Sequence, residues 1–170
     1  MKKRKVSAVI SSLYLALVIA ALPFVPACKK SSAPASDPVE VSQDQEKLIN
    51  RFGYPDTFVL VMRGNTRLEI WSYYTMERSF IFLDGEFAND EFVAELPEEF
   101  SFPKFKPTQF NQGMTFAQVK QILGQPTAQG ELIPELMENT TIYDFHDQVK
   151  VAVKDAEVIY VQTLPVAVKK

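Results

Sequence analysis

A later stretch of the chain repeats the hydrophobic pattern of an earlier one. Each opens with a polar pair at the spacing of a helix capping box, followed by apolar residues at helical intervals and then by a glycine. The capping pairs are Ser42 with Gln45 and Thr115 with Gln118. Glycine adopts the left-handed conformation at a helix end at little cost. The pattern therefore predicts one short amphipathic helix at the start of each stretch.

Strand-like segments follow each helix, because β-branched and aromatic residues recur between turn residues. We predict strands near residues 57–62, 67–74, 78–83 and 86–89 in the first copy, and near 140–145, 150–154 and 157–163 in the second. Another strand, around 129–136, is doubtful because Pro134 interrupts it. Asp84-Gly85 and Asp155-Ala156 separate apolar runs, where a tight hairpin turn is expected.

An internal duplication explains this recurrence. A shift of 71 positions without a gap places Gly124-Gln-Pro126 on Gly53-Tyr-Pro55 and residues 151–158 on 80–87. One copy of roughly 50 residues would be marginally stable alone, so we expect the two copies to share one sheet. The predicted fold class is α+β: two tandem helix-plus-antiparallel-meander repeats that share a sheet, with both helices on one face.

The N-terminus has the pattern of an export signal. Four basic residues at positions 2–5 precede an apolar run from Val6 to Val25. The following Val25-Pro-Ala-Cys28 resembles a bacterial lipobox, whose cysteine becomes the lipidated first residue. Ordinary secretion and an uncleaved anchor are the alternatives. Cys28 is the only cysteine of the chain, so no internal disulfide can form, and it is the predicted lipid attachment point.

These features divide the chain into five parts. We predict a signal peptide at 1–27, a flexible lipid tether at 28–41, repeat 1 at 42–93, a Pro/Phe-rich linker at 94–112 and repeat 2 at 113–165. Removal of residues 1–27 takes away four basic residues and no acidic one, which lowers the net charge from −3 to −7. A chain this acidic is a poor binder of nucleic acid.

The linker is rich in phenylalanine beside acidic residues. Its aromatic residues either lie over the seam between the repeats and seal one core or form a surface that recruits a partner. They are Phe100, Phe102, Phe105 and Phe110.

No arrangement typical of catalysis or metal binding is evident. His146 is the only histidine, and a lone histidine on a sheet is typical of a structural or rim residue. Asp84 with Glu86, and Asp155 with Glu157, suggest the carboxylate pair of a glycosidase, but their recurrence at both hairpins favours a role in the turns. We therefore expect no enzymatic activity, no metal and no cofactor other than the lipid on Cys28.

A binding surface is the better prediction. Glu69, Trp71 and Tyr73 share one face of a predicted strand. The other face carries Leu68, Ile70 and Tyr74, and we assign it to the helix. The ungapped 71-residue shift places Ile142 and Asp144 on the same face as Trp71. We expect this face to be the open side of the sheet, where large aromatic rings serve as interface anchors. The alternative is that Trp71 belongs to the core, in which case its truncation would lower the stability strongly.

A family resemblance rests on these motifs. Residues 113–119 (GMTFAQV), Leu123-Gly-Gln-Pro126 and the Asp155-Ala-Glu-Val158 hairpin resemble the SmpA/OmlA (BamE-like) family of small outer-membrane lipoproteins, and residues 52–55 and 84–87 repeat part of the pattern. Two such units in tandem also resemble the architecture of the β-lactamase inhibitory protein.

The resemblance implies a noncatalytic protein of the bacterial cell envelope, which we expect to be held by its lipid in the outer membrane, facing the periplasm. Its expected partner is another envelope protein, in outer-membrane assembly or envelope integrity. Enzyme inhibition, as in the β-lactamase inhibitory protein, is an alternative, and a small-ligand-binding or hydrolytic module is a more distant one.

Overall fold

The computed structural model describes residues 39–94, 96, 100–129 and 140–168. The predicted signal peptide, Cys28 and most of the tether lie outside this range. So does most of the doubtful strand predicted around 129–136, of which only a two-residue strand at its start is described.

The described residues contain two α-helices and ten strands. The helices are α1 (Gln43–Phe52) and α2 (Phe116–Leu123). The strands are β1 (Thr57–Arg63), β2 (Thr66–Tyr73), β3 (Arg78–Leu83), β4 (Glu86–Phe92), β5 (Phe100–Ser101), β6 (Ala128–Gln129), β7 (Thr140–Phe145), β8 (Val149–Lys154), β9 (Glu157–Thr163) and β10 (Val166–Ala167).

Both predicted capping boxes are confirmed. Ser42 Oγ accepts the N–H of Gln45 at 3.2 Å, and Gln45 Oε1 accepts the N–H of Ser42 at 3.1 Å. Thr115 and Gln118 repeat the arrangement at the start of α2. Each helix is followed by a glycine with a positive φ, which is why the helices stop after ten and eight residues.

Eight strands form one antiparallel sheet in the order β4-β3-β2-β1-β9-β8-β7-β6, and β5 pairs with β10 in a separate two-stranded sheet. The predicted α+β class of helix-plus-meander repeats is therefore wrong, because the fold is mostly β. The capped helices are short, whereas the strands join across the middle of the molecule, where β1 pairs with β9.

The strands recur along the chain with nearly the spacing of the sequence pattern. The strands β3 and β8 begin 71 positions apart, as do β4 and β9. The ladder between β3 and β4 shifts register between Ile81 and Phe82, and that between β8 and β9 shifts between Ala152 and Val153, again 71 positions later. A β-bulge bends a strand and increases its twist, so both hairpins are bent at the same point.

The two faces of the large sheet differ in their covering. Both helices and the linker residue Phe110 pack on the face that carries Leu60, Trp71 and Val161, here called the helix-side face. The opposite, open face carries Val59, Ile70 and Ala152 among others. Its only buried cluster in the described residues is small and contains Ile142 and Ala152. One dominant core therefore lies between the sheet and the helices.

The linker contributes to that core. Phe110 is fully buried and its ring lies 5.9 Å from that of Phe58, while Phe105 packs at the margin of the core. Phe102 stacks on Tyr74 at a centroid distance of 5.5 Å. These positions favour the sealing role for the linker phenylalanines over a recruitment surface.

Candidate functional site: the open sheet face

Trp71 and Tyr73 do not lie on the open face. Trp71 is 0% and Tyr73 is 3% exposed, and both side chains point toward the helices. The Trp71 ring lies 5.0 Å from that of Phe82, and Tyr73 makes an edge-to-face contact with Phe52 of α1. The prediction that these two residues form an exposed binding surface is wrong, because neither can reach a partner.

Ile142 and Asp144 lie on the other face of the sheet from Trp71 and Tyr73. The hairpin from β2 to β3 closes with Tyr73 opposite Arg78, whereas that from β7 to β8 closes with Phe145 opposite Val149, which makes it one residue shorter. The structural counterpart of Trp71 is therefore Tyr143, not Ile142. Successive residues of a strand point to opposite faces, so a slip of one position reverses every side chain.

Neither Ile142 nor Asp144 is a prominent site of contact for a binding partner. Ile142 is 2% exposed, inside the small cluster of the open face. Asp144 forms an ion pair with Lys150, with 3.1 Å between Oδ1 and Nζ. The four predicted partner-binding residues are thus divided between two faces, and the structure does not bring them together.

A buried polar network explains why the sequence pattern was misleading. Glu69 is only 2% exposed, yet it lies on the helix-side face between Arg67 and Trp71. Its Oε1 accepts hydrogen bonds from Gln45 Nε2 at 2.9 Å and from Arg67 Nε at 2.8 Å, and its Oε2 accepts one from Trp71 Nε1 at 2.9 Å. Three donors thus satisfy the carboxylate, as a buried charge requires.

Arg67 extends this network to the linker. Its guanidinium donates to the carbonyl oxygens of Phe110 and Pro107, the latter at 3.0 Å. The network thereby connects α1, β2 and the linker across the core. With every named atom partnered inside the fold, this cluster stabilises the structure and leaves no group to act on a substrate.

Two of the four acidic residues considered for catalysis, Asp84 and Asp155, lie in the hairpin turns. Asp84 Oδ1 accepts the N–H of Arg67 at 2.7 Å, and Asp84 and Asp155 have positive φ values of 50° and 49°. Aspartate tolerates this conformation better than most residues, which accounts for its recurrence. His146 is exposed in the turn after β7, with φ 51°, and its N–H donates to Thr127 Oγ1.

Among the described residues, two ionisable groups have clearly shifted pKa values. Burial raises the pKa of the Tyr73 hydroxyl well above its usual range, and the nearby carboxylate of Asp56 adds to this shift. The hydrogen bond from Lys47 Nζ, together with that from the N–H of Phe87, lowers the pKa of Asp44. Both groups are engaged in the packing of α1 against the sheet, since Tyr73 also donates to the carbonyl oxygen of Gly53 at 2.9 Å.

A cleft of about 670 Å³ lies at the seam between the repeats. Arg63, Gly64 and Gln112 line one part of it, and Lys154 and Glu157 line another. Because this lining mixes charges of both signs, it does not define a ligand class. Within the described ranges, no three His, Cys, Asp or Glu side chains are grouped as metal ligands, and neither helix is long and apolar enough to span a bilayer.

Six aliphatic side chains form a regular array on the open face. The cross-strand partners Val59, Ile70 and Ile81 make one row over β1, β2 and β3, and Val61, Leu68 and Leu83 make the next. Five of them are partly exposed and Leu83 is 47% exposed. We call these six residues the aliphatic patch. A contiguous, partly exposed apolar surface of this kind is typical of a protein-binding site.

Comparison with known proteins adds no family. The chain matches no protein-family model, no curated protein and no solved structure. Its candidate site is therefore argued from its own residues. Sequence reasoning recognised Leu68 and Ile70 as an aliphatic face but assigned that face to the helix. This assignment is wrong, because the helices pack on the face that carries Trp71.

Proposed function

We propose that this protein is a noncatalytic, lipid-anchored component of the bacterial cell envelope that binds another envelope protein through its aliphatic patch. The observation that carries the proposal is the patch itself, which has two rows of aliphatic side chains on a sheet face away from both described helices. Burial of apolar area contributes about 25 cal/mol per Å², so such a surface is a source of binding energy.

The lipid anchor rests on the sequence of the N-terminus. Cys28 follows an apolar run and a small residue, and it precedes about a dozen residues with little apolar content. Lipid chains contribute roughly 0.8 kcal/mol per buried methylene, so more than one chain would hold the domain durably at a membrane. The resemblance to the SmpA/OmlA (BamE-like) lipoproteins supports an outer-membrane location and a role in assembly or envelope integrity.

The anchor is tested by metabolic labelling with an alkyne fatty acid. The wild-type chain should take up the label and sediment with membranes, whereas Cys28→Ala should take up none. Unlabelled wild-type protein, or equal labelling of the variant, would refute the anchor.

The binding face is tested by photo-crosslinking in intact cells. A photoreactive amino acid at Val61 or Leu83 of the patch should give one discrete adduct, and the same group at the exposed Gln121 of α2 should give none. Leu83→Asp should reduce the adduct formed from position 61. Adducts that are absent, or that are equal at all three positions, would contradict the proposal. Capture of a single soluble enzyme would support an inhibitor instead.

A further inference from the structure

We propose that β4 is a second docking site, which accepts an extended segment of a partner whose side chains alternate between apolar and basic. The site is formed by the outer edge of β4 and is distinct from the aliphatic patch. This inference rests on the proposed function, since it specifies the chemistry of a protein partner.

Among the described strands, β4 is the one long edge of the large sheet. It pairs with β3 on one side only, and all seven of its residues are exposed. The opposite edge, β6, has two described residues. An edge strand presents unpaired backbone N–H and C=O groups that can add a further strand.

Hydrogen bonding identifies which backbone groups are available. The N–H of Val93 donates to the carbonyl oxygen of Glu77 at 3.1 Å, which fixes the alternation of the ladder between β3 and β4. Asn89 and Glu91 consequently direct their backbone groups toward β3, whereas Asp90 and Phe92 direct theirs outward. No backbone group of the other described residues meets these outward groups. Nearer the hairpin, Asp44 of α1 accepts the N–H of Phe87 at 3.3 Å.

The side chains of β4 are sorted by face. Phe87 and Phe92 lie on the helix-side face at 48% and 78% exposure, and Glu86 and Glu91 lie on the open face. Phe87 also borders a groove of about 250 Å³ that Leu48 and Phe82 help to line. An added strand would place alternate side chains beside the phenylalanines and the others beside the glutamates. Apolar residues suit the first set of positions.

Charge indicates which residues of the partner suit the positions beside the glutamates of β4. Asp90 forms an ion pair with Arg78 at 2.5 Å, whereas neither Glu86 nor Glu91 has an ion-pair partner in the described part of the chain. Opposite charges on neighbouring strands attract, so lysine or arginine suits these positions. The same charges oppose pairing with a second copy, because two β4 strands side by side would bring their glutamates together.

The test uses a fluorescein-labelled heptapeptide in which lysine and valine alternate, with the full chain purified in detergent. Fluorescence anisotropy should show saturable binding that weakens as salt is added. A peptide of the same composition in separate lysine and valine blocks is the control for general attraction to an acidic protein. It should bind at least about tenfold more weakly, which corresponds to about 1.4 kcal/mol.

Two variant pairs test the geometry. Asp90→Pro removes an outward N–H, and Asp90→Ala removes the same carboxylate but keeps the N–H, so only the proline variant should lose about tenfold or more in affinity. Glu91→Lys should likewise weaken binding, whereas Glu46→Lys, with the same charge change on an exposed position of α1, should not.

Equal effects within either pair, or equal binding of the block peptide, would overturn the proposal. Should Asp90→Pro fail to fold, alternating peptides that are N-methylated on one edge at a time replace it. Methylation of one edge of the peptide should abolish binding, whereas methylation of the other edge should not. If both methylated peptides bind, or if neither binds, strand addition is refuted. The crosslinking from Val61 and Leu83 does not depend on peptide binding to β4. A negative peptide result would therefore refute the docking site on β4 without refuting the proposed function.

Discussion

Gly85 and Ala156 occupy equivalent positions of two hairpin turns, 71 residues apart, and both have positive φ values, 85° and 68°. Glycine takes this conformation without strain, whereas a residue with a Cβ atom loses roughly 1–2 kcal/mol in it. The second hairpin is therefore strained where the first is not.

Ala156→Gly should raise the free energy of unfolding by about 0.5–1 kcal/mol, because the relieved strain exceeds the added flexibility of the unfolded chain. Urea unfolding followed by circular dichroism measures the change. Ala117→Gly, at an exposed position inside α2, is the matched control and should lower the stability by about 1 kcal/mol. A loss of stability in both variants would show that Ala156 is not strained.

Gly85→Ala should lower the free energy of unfolding by about 1–2 kcal/mol or more. The new Cβ atom would lie 2.9 Å from Cβ of Ser42, the residue that caps α1. Gly64→Ala also has a positive φ but meets no atom within 4 Å, so it should cost less in the same urea experiment. If both variants lowered the free energy of unfolding equally, the contact with Ser42 would not contribute to the effect of Gly85→Ala.

Trp71→Ala should lower the free energy of unfolding by about 3–5 kcal/mol, because it removes the largest fully buried side chain. Phe92→Ala, at a residue 78% exposed, should cost less than about 1 kcal/mol. Trp71 is the only tryptophan, so the comparison uses far-ultraviolet circular dichroism rather than fluorescence. If Trp71→Ala left the stability unchanged, Trp71 would not be part of the core, and the interpretation of Trp71 as an exposed binding residue would stand again.

Glu69→Gln should lower the free energy of unfolding by about 3–5 kcal/mol, although it changes the volume little. Three donors converge on two carboxylate oxygens, and a glutamine offers only one oxygen and leaves the buried Arg67 without its counter-charge. Glu91→Gln on β4 is the exposed control. A double-mutant cycle with Arg67→Met should give a coupling energy of about 1–3 kcal/mol; a coupling near zero would show that the two residues act independently.

Stability should fall in alkaline solution through Tyr73. An unfolded tyrosine titrates near pH ~10, whereas burial raises the pKa of Tyr73 in the folded state. The unfolded chain therefore releases this proton first as the pH rises above about 10, and the free energy of unfolding decreases. Below that pH, the contribution of Tyr73 to the free energy of unfolding is fully present.

Tyr73→Phe has no hydroxyl proton to lose, so its stability should decline less steeply than that of the wild type in urea unfolding between about pH 9 and 11. At pH 7 the same variant should cost only about 1 kcal/mol, through the lost hydrogen bond to Gly53. Parallel decline of the two proteins above about pH 10 would exclude Tyr73 as the cause.

Local structure was predictable where the determinants are close in sequence. Ser42 and Gln45 are three residues apart, and Asp84-Gly85 is a single dipeptide, so the caps and the hairpin can be recognised without the fold. The strand β3 begins and ends at the predicted residues, Arg78 and Leu83.

The faces of β2 were not predictable in this way. Glu69 made its face appear polar, and the residue that helps to satisfy it, Gln45, is 24 positions away on a helix. The shorter hairpin after Phe145 likewise reversed the face assigned to Ile142, because a single missing residue is invisible to an ungapped comparison. Both errors arise from contacts that only the assembled sheet defines.

The pairing of β1 with β9 governs how the molecule is made. Phe58 N–H donates to Thr163 Oγ1 at 2.7 Å, so strands about a hundred residues apart along the chain meet in the middle of the sheet. During synthesis, the edge of β1 that pairs with β9 remains uncovered until the second half of the chain has emerged. Distant pairing slows folding and leaves strand edges open to aggregation. We therefore expect newly made chains to be prone to aggregation until β9 has paired with β1, and we expect the first repeat to be a poor candidate for production by itself.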